Sequence, residues 1–114
     1  MPYLALRTNR TIQSELGESL LQALSHAVAD GLGKPERYVM VSLHDKSPML
    51  FAGSDAPLAY LELKSIGLPA ERTAALSASL CAAVGERLEI PQDRIYIEFA
   101  DAERHMWGWD GATF

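Results

Sequence analysis

Cysteine is nearly absent: Cys81 is the single one among 114 residues. One thiol cannot close an internal disulfide and offers no second sulfur to zinc, which excludes disulfide scaffolds and cysteine-rich metal domains. Its setting, LCAAV, is that of a helical thiol turned towards a core. Long hydrophobic runs are missing too. No stretch approaches the roughly 20 apolar residues that span a bilayer, and the first residues lack the basic patch and apolar core of a signal peptide. No membrane partner is expected, and the expected location is the cytoplasm, with secretion that bypasses a signal peptide as the alternative. Positive charge is scarce and scattered. Ten Lys and Arg stand against fifteen Asp and Glu, a formal net charge of -5, and the pI is near 5.1. Phosphate backbones demand clustered cations, so no nucleic acid is expected as a partner. The histidines, His26, His44 and His105, have no ligand-like i, i+4 spacing and meet no carboxylate motif, so neither metal nor cofactor is expected. A Gly-rich phosphate loop and a nucleophile elbow are also lacking.

What is present reads as one globular domain. Apolar residues make up 48% and charged residues 22%, enough to build a core, and no low-complexity run argues for disorder. A single domain over 1–114 is expected, built from pseudo-repeats at roughly 2–57 and 58–114. YLALRT at 3–8 alternates as a half-buried strand does, and YLELKS at 60–65 repeats it almost residue for residue. A helical period follows each strand: Leu20, Leu24, Ala27, Val28 and Gly31 in the first, Leu76, Leu80, Val84 and Leu88 in the second. The helices are expected to start near Ser14 and near Pro69 to Glu71, and the first to stop around Gly31 to Gly33. Each then meets a proline turn and a second strand, KPERYVMVSLHD at 34–45 and IPQDRIYIEFAD at 90–101.

Strand, crossover helix and strand imply parallel pairing. The expected fold is therefore α+β, with two βαβ units forming a four-stranded mixed sheet and both helices on one face. YVMVSL and RIYIEF are apolar at nearly every position, as strands buried on both faces are. Two helices cover one face only, so other copies of the chain are expected to cover the second.

Some residues invite a chemical reading. Removal of Met1 would leave Pro2 with a free secondary amine. Lys34, in GLGKPERY, follows a helix end, where a cation is favourable. Ser65 to Gly67 ends the third strand and could leave a backbone N–H for an anion. Tyr96 has a phenol that needs a partner if buried, and HMWGWDGATF places Trp107, Trp109 and Phe114 within the last ten residues, around two glycines.

Taken together, MP at the start, TN at 8–9, GKP at 33–35, FAGSDAP at 51–57, SIG at 65–67, ERL at 86–88, DRIYI at 93–97 and GW followed by TF resemble the macrophage migration inhibitory factor family of the tautomerase superfamily. The likeness spans the whole chain. It implies a homotrimer with active sites between subunits and a keto–enol tautomerase of the phenylpyruvate or dopachrome type, acting on small aromatic α-keto acids. Pro2 would be the catalytic base, and Lys34 with the SIG segment, Ser65 and the Ile66 N–H, would hold the substrate carboxylate. Tyr38, Tyr96, Trp109 and Phe114 would shape the pocket, Tyr96 arriving from the neighbouring subunit. The pattern is broken at Glu98, where mammalian members carry asparagine; a carboxylate near Pro2 would stabilise its protonated form and repel an anionic substrate. Leu58 and Leu61 stand where those members have a CxxC pair, so thiol–disulfide chemistry is not carried over. Trp107 replaces a smaller apolar residue at the pocket mouth. The alternative function, from another class, is a cytokine-like protein that binds a receptor protein and has weak or vestigial activity.

Overall fold

A computed structural model describes residues 1–114. Alternation in YLALRT sends Leu4, Leu6 and Thr8 to one side of β1 (Tyr3–Thr8), and the repeat sends Ala59, Leu61, Leu63 and Ser65 to the same side of β3 (Ala59–Ile66). These two strands pair antiparallel at the centre, with Tyr3 opposite Lys64 and Thr8 opposite Ala59. Helix α1 (Ser14–Leu32) carries the chain from β1 to the parallel β2 (Met40–His44), and α2 (Thr73–Leu88) carries it from β3 to the parallel β4 (Ile95–Ala102). The strand order is β2-β1-β3-β4, so the two halves meet about the β1–β3 seam as the repeat requires.

Both helices lie on one face. Leu20, Leu24 and Val28 of α1 and Leu76, Leu80 and Val84 of α2 meet Leu4, Leu6, Leu61 and Leu63 in a core where none of these side chains is more than 1% exposed. The helices approach closely at Gly31, where an added Cβ would stand 2.4 Å from Leu76 Cδ2. Cys81 packs against this core but stays half-buried.

Helix α1 starts at Ser14 as expected, and Gln13 before it makes no side-chain capping bond. The start of α2 and the tail differ. Pro69 opens a 3-10 turn (Ala70–Arg72), so α2 begins at Thr73. The tail forms a small hairpin, β5 (Gly108–Trp109) with β6 (Ala112–Thr113). Its two-residue turn has Asp110 at φ 53° and Gly111 at φ 78°, the left-handed pair that matches the twist of hairpin strands.

The second sheet face also differs. In YVMVSLH and RIYIEF the apolar residues Val41, Leu43, Ile95, Ile97 and Phe99 face the helices, while Met40, Ser42, His44, Tyr96 and Glu98 share the opposite face. That face is uncovered, but it is amphipathic rather than apolar. Tyr3 and Ser42 are hydrogen-bonded through their hydroxyls at 2.7 Å, Ser42 Oγ lies 3.1 Å from His44 Nε2, and Tyr60 donates to Glu98 at 3.1 Å. Counting Tyr and Met as core-formers concealed this alternation.

The segment between the halves is held by polar anchors. Thr8 Oγ1 donates to the Leu58 carbonyl at 2.7 Å, and Asn9 both donates to the Asp55 carbonyl and accepts from the Leu58 N–H. Arg94 donates to the carbonyls of Phe51, Ser54, Ala56 and Pro57. TN, FAGSDAP and DR are thus one latch, in which a rigid guanidinium fork binds the carbonyls of a turn whose only bridge is the Phe51–Ser54 pair.

Candidate active site

The chain starts at one end of β1, where Pro2 is buried and its carbonyl accepts from the Met40 N–H at 3.0 Å. Lys34 is delivered there by the end of α1. Gly33 adopts φ 64°, its N–H bonds to the Asp30 carbonyl and the Lys34 N–H to the Ala29 carbonyl, a left-handed helix stop that glycine adopts without steric cost. Lys34 Nζ then donates to Ser65 Oγ at 2.9 Å and to the Ile66 carbonyl. Ser65 is therefore fully buried beneath the lysine and holds it in place, and the contact with Ile66 runs through its carbonyl oxygen.

The electrostatics follow from this burial. Removal from water, and next the neighbouring Lys34 ammonium, hold the amine of Met1 below its ordinary value near 8. Burial likewise lowers the Lys34 pKa, opposed by its hydrogen bond to the terminal amine and by the charge of Asp101. The Asp101 carboxylate accepts from the Leu68 N–H at 2.9 Å.

Two clefts flank the start of the chain. One, of about 400 Å³, is lined by Met1, Pro2, Arg37, Tyr38, Trp107 and Trp109 among others. The second, of about 220 Å³, is lined by Met1, Lys34, Tyr38, Ile66, Arg104 and Phe114 with Pro35. Met1 and Tyr38 belong to both. The tail hairpin builds the aromatic wall: Trp109 stacks on Phe114 with ring centroids 5.7 Å apart and meets Tyr38 edge-on at 6.5 Å, and the Phe114 N–H bonds to the Trp107 carbonyl.

Comparison with known proteins identifies the family. The profile of the family described as Macrophage migration inhibitory factor (MIF) matches residues 1–114. The chain is 37% identical to the macrophage migration inhibitory factor homolog of Brugia malayi, over 100% of this chain and 99% of the relative. The chain belongs to the MIF family. Among solved structures, the MIF homologue from Prochlorococcus marinus superposes with a TM-score of 0.93 at 43% identity, over 98% of each chain. Another solved structure, that of Pt0534 inactivated by 2-oxo-3-pentynoate, superposes with a TM-score of 0.88 at 26% identity, over 97% of this chain and 95% of that one.

Of the residues singled out from the MIF resemblance, one chain brings together Pro2, Lys34, Tyr38, Ser65, Ile66, Trp109 and Phe114, and leaves two elsewhere. Tyr96 packs on Phe51 with centroids 4.6 Å apart, and Glu98 accepts from Tyr60 on the uncovered sheet face. A carboxylate beside Pro2 is thus not a feature of the isolated MIF-family subunit. Arg37, Met40 and Arg104 also line the clefts, and sequence reasoning passed over them. The nearest signal for Arg37 was its place in KPERY, three residues beyond Lys34; for Arg104 there was none, because only the hairpin folds the tail back.

Proposed function

We propose that the protein is a keto–enol tautomerase of small aromatic α-keto acids, with Pro2, exposed by excision of Met1, as its base. The observation that carries this reading is that two clefts, one lined by Pro2 and the other by Lys34, share Met1. Excision of Met1 would remove the residue between them and expose the secondary amine of Pro2. A base whose charged form is disfavoured is neutral at working pH and can accept a proton. Lys34 has three donors; two go to Ser65 and Ile66, and the third, engaged with the Met1 amine in this structure, becomes available to a substrate carboxylate once Met1 is excised, joined by the Ile66 N–H. The Pro2 nitrogen then takes a proton from the carbon beside the keto group and returns one to the oxygen, or the reverse, with the aromatic wall around the ring.

A homotrimer completes the site in this reading. Support comes from an apolar cleft of about 480 Å³ that includes Met49, Leu50, Phe51, Tyr60 and Tyr96, at the β4 edge of the sheet, with Leu50 70% and Tyr96 64% exposed. Large side chains so exposed at a sheet edge suit burial against another copy. Tyr96 and Glu98 lie two residues apart on one strand face, so a neighbouring copy that supplies the first to the Pro2 cleft brings the second with it.

The test is the tautomerisation of phenylpyruvate, followed spectrophotometrically on protein whose intact mass shows Met1 removed. Activity in the wild type and a loss of about 100-fold or more in Pro2→Gly is the expected outcome, the usual reach of a general base. An inactive wild type or an undiminished mutant would overturn the reading.

A further inference from the structure

In a chain with net charge -5, the surroundings of the N-terminal amine are unusual. Lys34, Arg37 and Arg104 line the two clefts, and none of the fifteen Asp and Glu does. Nor are the arginines neutralised by the acids beside them in sequence. Glu36 turns to His26 at 3.4 Å and Glu103 to His105 at 3.5 Å, and neither arginine forms a salt bridge. Arg37 lies over the Tyr38 ring, 4.7 Å from its centroid, with a long 3.4 Å contact to the Tyr38 hydroxyl. That arrangement holds the guanidinium at the rim and leaves most of its five donors unused.

One carboxylate does not need three cations placed this way. Arg104 shares the smaller cleft with Lys34 and Ile66, so both cations act at the end expected to hold the α-carboxylate. Arg37 stands in the other cleft, beyond Met1 and Tyr38, among the indoles. We propose that this site prefers a dianionic substrate, an aromatic 2-keto acid with a second carboxylate at its far end, and that Arg37 is the specificity-determining residue for that distal group. The proposal rests on the tautomerase reading and sharpens its substrate class. A planar guanidinium pairs with a carboxylate through two parallel hydrogen bonds and stacks on aromatic rings, which suits a group at the end of a ring held between indoles.

The experiment compares phenylpyruvate with 4-carboxyphenylpyruvate, which differ by the distal carboxylate alone, as a ratio of kcat/KM. The wild type is expected to favour the dianion. Arg37→Gln is expected to lower that ratio about tenfold, the scale of a lost hydrogen-bonded charge, and Arg37→Lys to restore part of it. Arg104→Gln is expected to weaken both acids by a similar factor and keep the ratio. A wild type with no preference, or a ratio unmoved by Arg37→Gln, overturns the proposal. If Arg37 serves instead to pair with a carboxylate of another copy, both acids suffer alike and sedimentation shows a weakened assembly, which also overturns it. If the wild type turns over neither acid, the tautomerase reading falls by itself. The ratio of Kd values from quenching of Trp107 and Trp109 fluorescence then decides the Arg37 proposal by the same criteria.

Discussion

At the scale of single residues, the proposed chemistry depends on Lys34 and the start of the chain. The Lys34 charge disfavours the charged Met1 amine, the hydrogen bond with that amine favours the charged lysine, and burial is the largest cause for both. The sign of the pH dependence follows. In the proposed reaction the Pro2 amine is active when neutral; exposed beside Lys34, it meets the burial and the charge that hold the Met1 amine below its ordinary value near 8, so kcat/KM is expected to rise with pH and level off below that value. In Lys34→Ala the rise moves to higher pH, though not fully back to 8, since the burial remains. The same variant loses about 10- to 100-fold in kcat/KM for phenylpyruvate because the carboxylate loses a charged donor. A pH–rate profile of both proteins checks these outcomes, and coincident profiles would show that Lys34 does not tune the base. Pro2, Lys34 and the SIG segment were legible in the sequence because each stands at a chain or element end. Arg37 and Arg104 were not, since an exposed arginine has no signature until folding shows what faces it.

At the scale of elements, two stops position the site. Gly33 ends α1 in a left-handed turn that aims Lys34 at β3, and the Asp110–Gly111 turn folds the tail so that Trp109 lies on Phe114. The helix pair depends on Gly31. Gly31→Ala adds up to about 1 kcal/mol of helix propensity but forces a methyl against Leu76, itself 1% exposed in the packed core, at a cost of about 1–3 kcal/mol. A net destabilisation of about 1 kcal/mol is expected from urea unfolding, and a stabilised variant would mean that Leu76 repacks without strain. The repeats themselves were legible, because strand alternation and helical spacing recur about 57 positions apart. The tail hairpin was not read as strands: two-residue strands are too short to show periodicity, and only the DG pair hinted at the turn.

At the scale of the whole molecule, the uncovered sheet face and the apolar cleft at Leu50 and Tyr96 prepare the subunit for assembly. Leu50→Glu places a charge in that cleft, and the expected result in native mass spectrometry is monomer in place of trimer, with activity lost in parallel; an unaltered trimer would locate the contact elsewhere. Glu98→Gln keeps an acceptor for Tyr60 while removing the charge. If the neighbouring copy brings this group to Pro2, kcat/KM for phenylpyruvate rises, whereas an unchanged rate would show that the carboxylate stays clear of the site. The sequence alone determined the βαβ repeat, the helix stripes, the single core and the candidate base, because periodicity and end signals are local properties of the chain. Only the tertiary structure decided that the second sheet face is amphipathic, that Ser65 lies beneath Lys34, that Tyr96 and Glu98 stand apart from Pro2, and that Lys34 and two arginines without salt bridges gather where the chain begins. Those facts depend on strand register and on segments tens of residues apart in sequence meeting in space, which no local pattern encodes.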